Sequence, residues 1–457
     1  MANAERLPCF KAYDIRGRVP DELDGKLAYA IGRAFVEVTG ARSVAIARDA
    51  RLSGPELAGR LAAGLSDAGA KVFDLGLAGT EEIYFATAHY ELDGGIAVTA
   101  SHNPEDYNGM KLVTRGARPV SSDSGLDAIE ALARGSDWSS RVDRLGETEI
   151  LDHRDSYCRH LLAQVDLSKL RPLKIVCNAG NGMAGPTVDQ LAPQLPFELI
   201  RTQWEPDGHF PNGVPNPLLP ECRDVTADAV RMHGADLGIA WDGDFDRCFF
   251  FDANGRFIEG YYIVGLIAKA MLQRQPGARI IHDPRLTWNT VATVTAAGGD
   301  PVVTKTGHAF IKERMRQEDA IYGGEMSAHH YFRDFFYCDS GMLPWLLVTQ
   351  LMCAENTSLA EMVDDAMAAY PCSGELNFKV QSATDVLDAI RAEYVTPTAS
   401  VDTTDGLSVD FEHWRFNVRA SNTEPLLRLN VESRADAVLM RERTADLSAL
   451  IQRTGRA

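Results

Sequence analysis

No CxxC pair occurs among the eight cysteines, which stand at positions 9, 158, 177, 222, 248, 338, 353 and 372. Their spacing suits neither a zinc site nor a compact disulfide framework. Reduced thiols are the simplest account, and a cytoplasmic protein is expected. Positive charge is in deficit: 46 Lys and Arg face 64 Asp and Glu, a net charge of -18. That balance argues against non-specific binding to nucleic acid or to an anionic membrane. It still allows an anionic substrate, because a local basic pocket can form in an acidic protein. Long hydrophobic runs are also missing. The longest, near Ile263 to Leu272, is too short to cross a membrane and is interrupted by Lys269. Met1 to Phe10 has no apolar core segment, so no signal peptide is expected.

What remains is an ordinary globular composition, 45% hydrophobic and 24% charged. At 457 residues the chain is too long for one domain and suggests about three. An α/β unit recurs. In the first copy, strands at 43–47, 71–75 and 95–99 alternate with helices near 55–68 and 81–89. The second has strands at 173–177, 197–201 and 236–241, with a helix from Pro186. The third has strands at 279–282, 301–305 and 320–323, with a helix through Phe310 to Arg316. Alternating strands and helices imply parallel pairing through right-handed crossovers. A period of about 100 residues means domain duplication rather than a solenoid. The tail from about Cys372 differs: strands at 376–380, 406–411, 414–418 and 426–431 precede a helix from about Ala435 to Arg453.

The last strand of each copy ends in a polar loop. In the first, Ser101-His102-Asn103-Pro104 follows the apolar Ile96 to Val98. Ser101 is either a helix cap or a reactive hydroxyl. In the second, Asp242, Asp244 and Asp246 alternate along the chain and repel one another unless a cation sits among them. Oxygen ligands suit a hard divalent ion. An EF-hand is excluded, because its glycine position holds Arg247 and its final glutamate position holds Ala253. The trio is otherwise a solvated acidic turn. Arg247 suits a phosphate oxygen, or a plain ion pair. In the third, Glu325 and Ser327 can accept sugar hydroxyls, or simply begin a helix. The three loops are expected to converge on one cleft. His308 and His329 stand at strand ends, where a structural role and a catalytic one are about equally supported. His102 reads as a local hydrogen-bonding partner. Lys111 follows Ser101 by ten residues and can turn back toward it. In the tail, Arg419, Ser421, Asn422 and Thr423 offer a guanidinium, two hydroxyls, an amide and backbone N–H groups. That is an anion nest or a polar hairpin turn.

Together these residues identify a family. The segments Lys11-Ala12-Tyr13-Asp14-Ile15-Arg16-Gly17, Thr99 to Pro104, Asp242 to Arg247, Gly324 to His329 and Arg419 to Pro425 resemble, in order, the motifs of the α-D-phosphohexomutases. The similarity is to the bacterial phosphomannomutase/phosphoglucomutase branch and spans almost the whole chain. It implies three topologically similar α/β domains with mainly parallel mixed sheets, plus a C-terminal α+β domain, around a central cleft. The domains are expected at 1–148, 149–252, 253–367 and 368–457. It implies that Ser101 is the phosphoserine, and that Mg²⁺ is held by Asp242, Asp244, Asp246 and phosphorylated Ser101. Glu325 and Ser327 would grip sugar hydroxyls, and Arg419 to Thr423 the phosphate that is not reacting. Tyr13, Arg16, Lys111, Arg247, Arg285, His308 and His329 match positions the family places around the cleft.

The implied reaction is reversible phosphoryl transfer between C1 and C6 of hexose phosphates. It would use glucose 1,6-bisphosphate as activator and intermediate, in a monomer with no nucleic-acid or membrane partner. Met326 resembles the mannose/glucose enzymes, where phosphoglucosamine mutases usually place Gln. Ala328 stands where Gly is common, and is expected to be tolerated unless the backbone needs φ > 0. A metal-dependent sugar phosphatase is the enzymatic rival, and a non-catalytic sugar-phosphate-binding protein the other.

Overall fold

The computed structural model describes residues 6–138, 145–420 and 426–455. They pack as two compact units, Met1–Phe257 with Asp334–Asn356 and Ile258–Arg333 with Thr357–Ala457.

The first unit holds two mixed sheets. One runs in the order Ile15–Arg18, Tyr107–Thr114, Gly94–Val98, Ser43–Arg48, Lys71–Leu77, Thr148–Ile150. The other includes Cys248–Phe251, Leu237–Trp241, Lys174–Asn178 and Glu198–Thr202, in that order. The second unit repeats the plan with His330–Phe332, Tyr322–Gly324, Arg279–His282 and Asp300–Val303. In all three sheets the first, second and third strands of the repeat pair in parallel. A fourth pairs antiparallel to the third. Gly94–Val98 and Leu237–Trp241 are buried along their whole length. That is why they read as unbroken apolar runs, as strands covered on both faces do.

The antiparallel fourth strand decides where the chemistry sits. Each third strand must reverse within a few residues, and the reversals are the three polar loops. Each contains a non-glycine residue in the left-handed region: Ser101 at φ 49°, Phe245 at 47° and Ala328 at 68°. Such residues carry strain, and they cluster at functional sites. The condition attached to Ala328 is therefore met. Its backbone does need φ > 0, and alanine bears a cost of about 1 kcal/mol there.

Residues 334–356 pack with the first unit rather than with the rest of 253–367. The apolar helix Met342–Glu355 brings Trp345 edge-on to Trp241, with ring centroids 6.4 Å apart. Trp241 Nε1 donates to Gly341 O at 2.9 Å. Glu81, in the first turn of Thr80–His89, accepts from Ser340 Oγ at 3.1 Å and Gly341 N at 2.5 Å. The C-terminal sheet is antiparallel, in the order Leu376–Lys379, Leu426–Ser433, Trp414–Ala420, Leu407–Asp410, Ser400–Asp402. Helices Ala383–Tyr394 and Ala437–Thr454 close its core with Val386, Ile390, Leu447 and Ile451. Among the described residues no helix is long and apolar enough to cross a membrane.

Candidate active site

Ser101 is buried, with 1% of its surface exposed. Its loop is fixed by Arg51, a residue the sequence reading passed over. Arg51 Nη1 donates to the carbonyls of Pro104 (2.6 Å) and Tyr107 (2.8 Å). Nη2 donates to those of Ser101 (2.9 Å) and Asn103 (2.6 Å). One planar guanidinium therefore ties four backbone carbonyls of the loop. Asp49 supports it, accepting from Arg51 N at 2.9 Å and Thr99 Oγ1 at 2.6 Å. Thr99 Oγ1 in turn accepts from Ser101 N at 2.9 Å. Burial pushes the Asp49 carboxyl up, opposed by the charge of Arg51. On the other side, Arg16 Nη1 donates to Asn103 Oδ1 at 2.6 Å and Nη2 to Asp14 at 2.7 Å. Tyr13, half-buried, precedes Asp14 in the turn before that strand.

The aspartate loop lies against the serine loop. Ser101 Oγ donates to Asp242 Oδ2 at 2.7 Å. Gly243 permits the approach, since a Cβ there would stand 2.6 Å from Ser101 O. Asp242, Asp244 and Asp246 are all buried, and each offers an oxygen within 4.8 Å of the others. Lys111 stands opposite Ala97 on the antiparallel strand and points its ammonium at the aspartate loop. Its Nζ donates to Asp244 Oδ2 at 2.7 Å and also to Asp246. Thr80 Oγ1 donates to Asp244 Oδ2 at 2.5 Å. Arg247 holds Asp242 through Nε at 3.4 Å and gives Nη2 to His102 Nδ1 at 2.7 Å.

The charges are strongly coupled. Burial, then Asp246 and Asp244, push the Asp242 carboxyl up to about 7. Burial disfavours the Lys111 ammonium, but Asp244 and Asp246 outweigh it and hold the proton more tightly than usual. Burial, with Arg247 and Arg16, keeps His102 neutral. That leaves Nδ1 free to accept from Arg247, the local role expected for it. Asp244 Oδ1 is buried without a hydrogen-bond partner among the described residues. An all-carboxylate donor set with an unsatisfied oxygen fits a hard divalent cation such as Mg²⁺.

The second unit brings Glu325, Ser327, His329 and Arg285 together. Glu325 accepts from Tyr331 OH at 2.6 Å and Gly307 N at 3.1 Å, and pairs with His329 Nδ1 at 3.2 Å. Burial would raise its carboxyl, but His329 and Arg285 hold it well below the usual range. Arg285 is bound along one edge by Asp283, Nε to Oδ1 and Nη2 to Oδ2, both at 3.0 Å. It also reaches Ser327 Oγ at 3.1 Å. His308 opens the helix His308–Glu318 directly after Gly307. Arg419 is 3% exposed, and burial with the charge of Arg285 makes its proton less firmly held. Ser421, Asn422 and Thr423 lie outside the described residues. Asp283 and Glu375 also belong to this network. Asp283 stood in the Asp283-Pro284-Arg285 loop at a strand end, whereas Glu375 carried no sequence signal.

Residues 8–139, 155–255 and 259–370 match the α/β/α domains I, II and III of phosphoglucomutase/phosphomannomutase, and 375–449 its C-terminal domain. The chain belongs to the phosphoglucomutase/phosphomannomutase family. It is accordingly a phosphohexomutase, an enzyme of the isomerase class. The phosphomannomutase of Salmonella typhimurium is 58% identical over 452 residues, covering 98% of this chain and 99% of the relative. The phosphohexose mutases of Xanthomonas campestris are 58% identical over 446 residues, again 98% and 99%. A solved family member from Burkholderia thailandensis superposes with a TM-score of 0.86 at 34% identity, covering 98% of this chain and 97% of that one.

Proposed function

We propose that this phosphohexomutase interconverts the 1- and 6-phosphates of mannose and glucose, with Ser101 as phosphoryl carrier and a hexose 1,6-bisphosphate as intermediate. The observation that carries the reading is the Ser101 hydroxyl 2.7 Å from Asp242, among three buried carboxylates with Lys111 and Arg247 around them. Phospho-Ser101 gives its phosphoryl group to the free hydroxyl of a hexose 1-phosphate. The P–O bond to Ser101 breaks, the P–O6 bond forms, and the hydroxyl proton leaves. The bisphosphate then turns end for end, and its C1 phosphoryl returns to Ser101. Asp242, Asp244 and Asp246 would hold Mg²⁺, which supplies Lewis-acid neutralisation of phosphate charge. Lys111, Arg247 and Arg16 stabilise charge on the moving group. The proton acceptor we assign is His329, oriented through Nδ1 by Glu325 as bases commonly are by a carboxylate. Glu325, Ser327 and Arg285 read the sugar hydroxyls, and Arg419 with residues 421–423 takes the second phosphate. Tyr13 and His308 complete the substrate contacts.

The buried Met326, which accepts from Asn430 Nδ2 at 3.1 Å, offers no charged partner for an amino group and so favours the phosphates of mannose and glucose over glucosamine phosphate. Phosphorus NMR of product from glucose 1-phosphate and mannose 1-phosphate tests the reaction. The 6-phosphates are expected, and free inorganic phosphate as main product would replace the mutase with a phosphatase.

A further inference from the structure

Glu375 has no part in the scheme above, yet it stands among three guanidinium groups. It precedes the strand Leu376–Lys379, and its side chain is 11% exposed. Oε2 lies 3.1 Å from Arg285 Nη1 and 3.6 Å from Arg419 Nη2, and Oε1 lies 3.3 Å from Arg428 Nη1. These arginines are not equally served. Arg285 is already bound along its edge by Asp283 and touches Glu325 at 3.4 Å. Arg419 is nearly as buried, but its carboxylates stand off: Glu375 at 3.6 Å and Asp405 at 3.8 Å. Its Nε has no hydrogen-bond acceptor among the described residues. Arg419 is thus balanced in charge while its donors are left poorly used. A buried guanidinium in that condition suits an incoming oxyanion with more acceptors than a carboxylate.

We propose that Glu375 is the built-in counter-anion of an arginine cluster that contains the phosphate-recognising Arg419. Before substrate binds, it offsets repulsion among Arg285, Arg419 and Arg428 and keeps Arg419 in place without consuming its hydrogen bonds. Once a phosphate arrives, the same carboxylate repels it and limits how tightly the cluster holds on. A mutase needs that limit, because an intermediate gripped too firmly at one phosphate cannot turn end for end. Glu375 is therefore a positioning residue. The proposal rests on the reading of Arg419 as a phosphate ligand.

Neutralising Glu375 should move two quantities in opposite directions, which simple structural damage does not do. In Glu375→Gln the melting temperature falls in phosphate-free buffer. Inorganic phosphate, titrated by calorimetry into the full-length protein, binds about tenfold more tightly, as expected when one like charge leaves a partly buried site. Added phosphate then raises the melting temperature more than in the wild type. The gain disappears in Glu375→Gln/Arg419→Ala. KM for glucose 1-phosphate falls and kcat does not rise. Phosphate affinity in Glu375→Gln equal to or weaker than wild type would overturn the proposal. Should that variant not fold, Glu375→Asp withdraws the carboxylate by one methylene, and tighter phosphate binding is again required of it. Equal phosphate affinity in wild type and Arg419→Ala would instead remove the phosphate role of Arg419, and the proposal with it.

Discussion

Arg51 offers the sharpest test of how the serine loop is held. Its guanidinium spans four carbonyls from two nitrogens, at 2.6, 2.8, 2.9 and 2.6 Å, with 1% of the residue exposed. Arg51→Lys keeps the charge but replaces that fork with a single nitrogen, which cannot reach carbonyls served from two positions. If half of the bonds are lost, at about 1.5 kcal/mol for each bond to a charged donor, the loop loses roughly 3 kcal/mol. For a unit of this size that corresponds to a drop of about 5 °C in Tm. The catalytic loss should be larger than stability alone suggests. Ser101 already holds a left-handed backbone at φ 49°, and the carbonyl ties over-determine it. A displacement of about 1 Å in the attacking oxygen costs roughly a hundredfold in rate. The assay is kcat for glucose 1-phosphate at a temperature where circular dichroism shows the variant folded. A folded Arg51→Lys enzyme that kept kcat within about twofold of wild type would refute the reasoning, because a misplaced attacking oxygen should cost roughly a hundredfold.

Other residues give further outcomes. Arg419→Ala should raise KM about tenfold by removing a charge-assisted phosphate contact, with little change in kcat, and an unchanged KM would contradict the assignment. Ala328→Gly relieves the left-handed alanine but loosens the unfolded chain, so urea unfolding should show a net gain of about 0.5 kcal/mol; a loss would mean the methyl is packed favourably. Glu325 binds a proton far more readily unfolded, near pKa 4.3, than folded, where its carboxyl is depressed. Its stabilising contribution is therefore present above about pH 4 and lost as pH falls further, and Glu325→Gln should flatten the stability-versus-pH slope below that point. Equal slopes in wild type and variant would remove Glu325 as the source.

The three reactive loops were legible because each follows a run of buried apolar residues and carries side chains that make no sense on an ordinary turn. The Asp242–Asp246 alternation is the clearest case. The repeated α/β pattern was legible for the same reason, with strand periodicity switching to helix periodicity in each of three copies. The antiparallel fourth strand was less so, since Tyr107–Thr114 mixes Lys111 and Asn108 into a buried strand for the sake of the site. Several helices were missed, among them two whose caps were readable. Asp24 caps Gly25–Thr39 with Gly40 beyond its end, and Ser382 caps Ala383–Tyr394. Arg51 and Glu375 were hidden for a different reason. Their partners lie about 50 and 90 residues away, at Ser101 and Arg285, and only tertiary folding makes a lone charged residue meaningful. The packing of 334–356 with the first unit had no local signal either, because it depends on Glu81 and Trp241 meeting Gly341.

Whether Ser101 carries the phosphoryl group is measured most directly by intact mass and peptide mapping of the enzyme before and after single-turnover mixing with glucose 1-phosphate. Expected are one phosphoryl group on Ser101, its transfer to sugar at a rate no slower than kcat, and neither label nor turnover in Ser101→Ala. Wild-type turnover by Ser101→Ala, or by enzyme that never bears phosphate on Ser101, would contradict it.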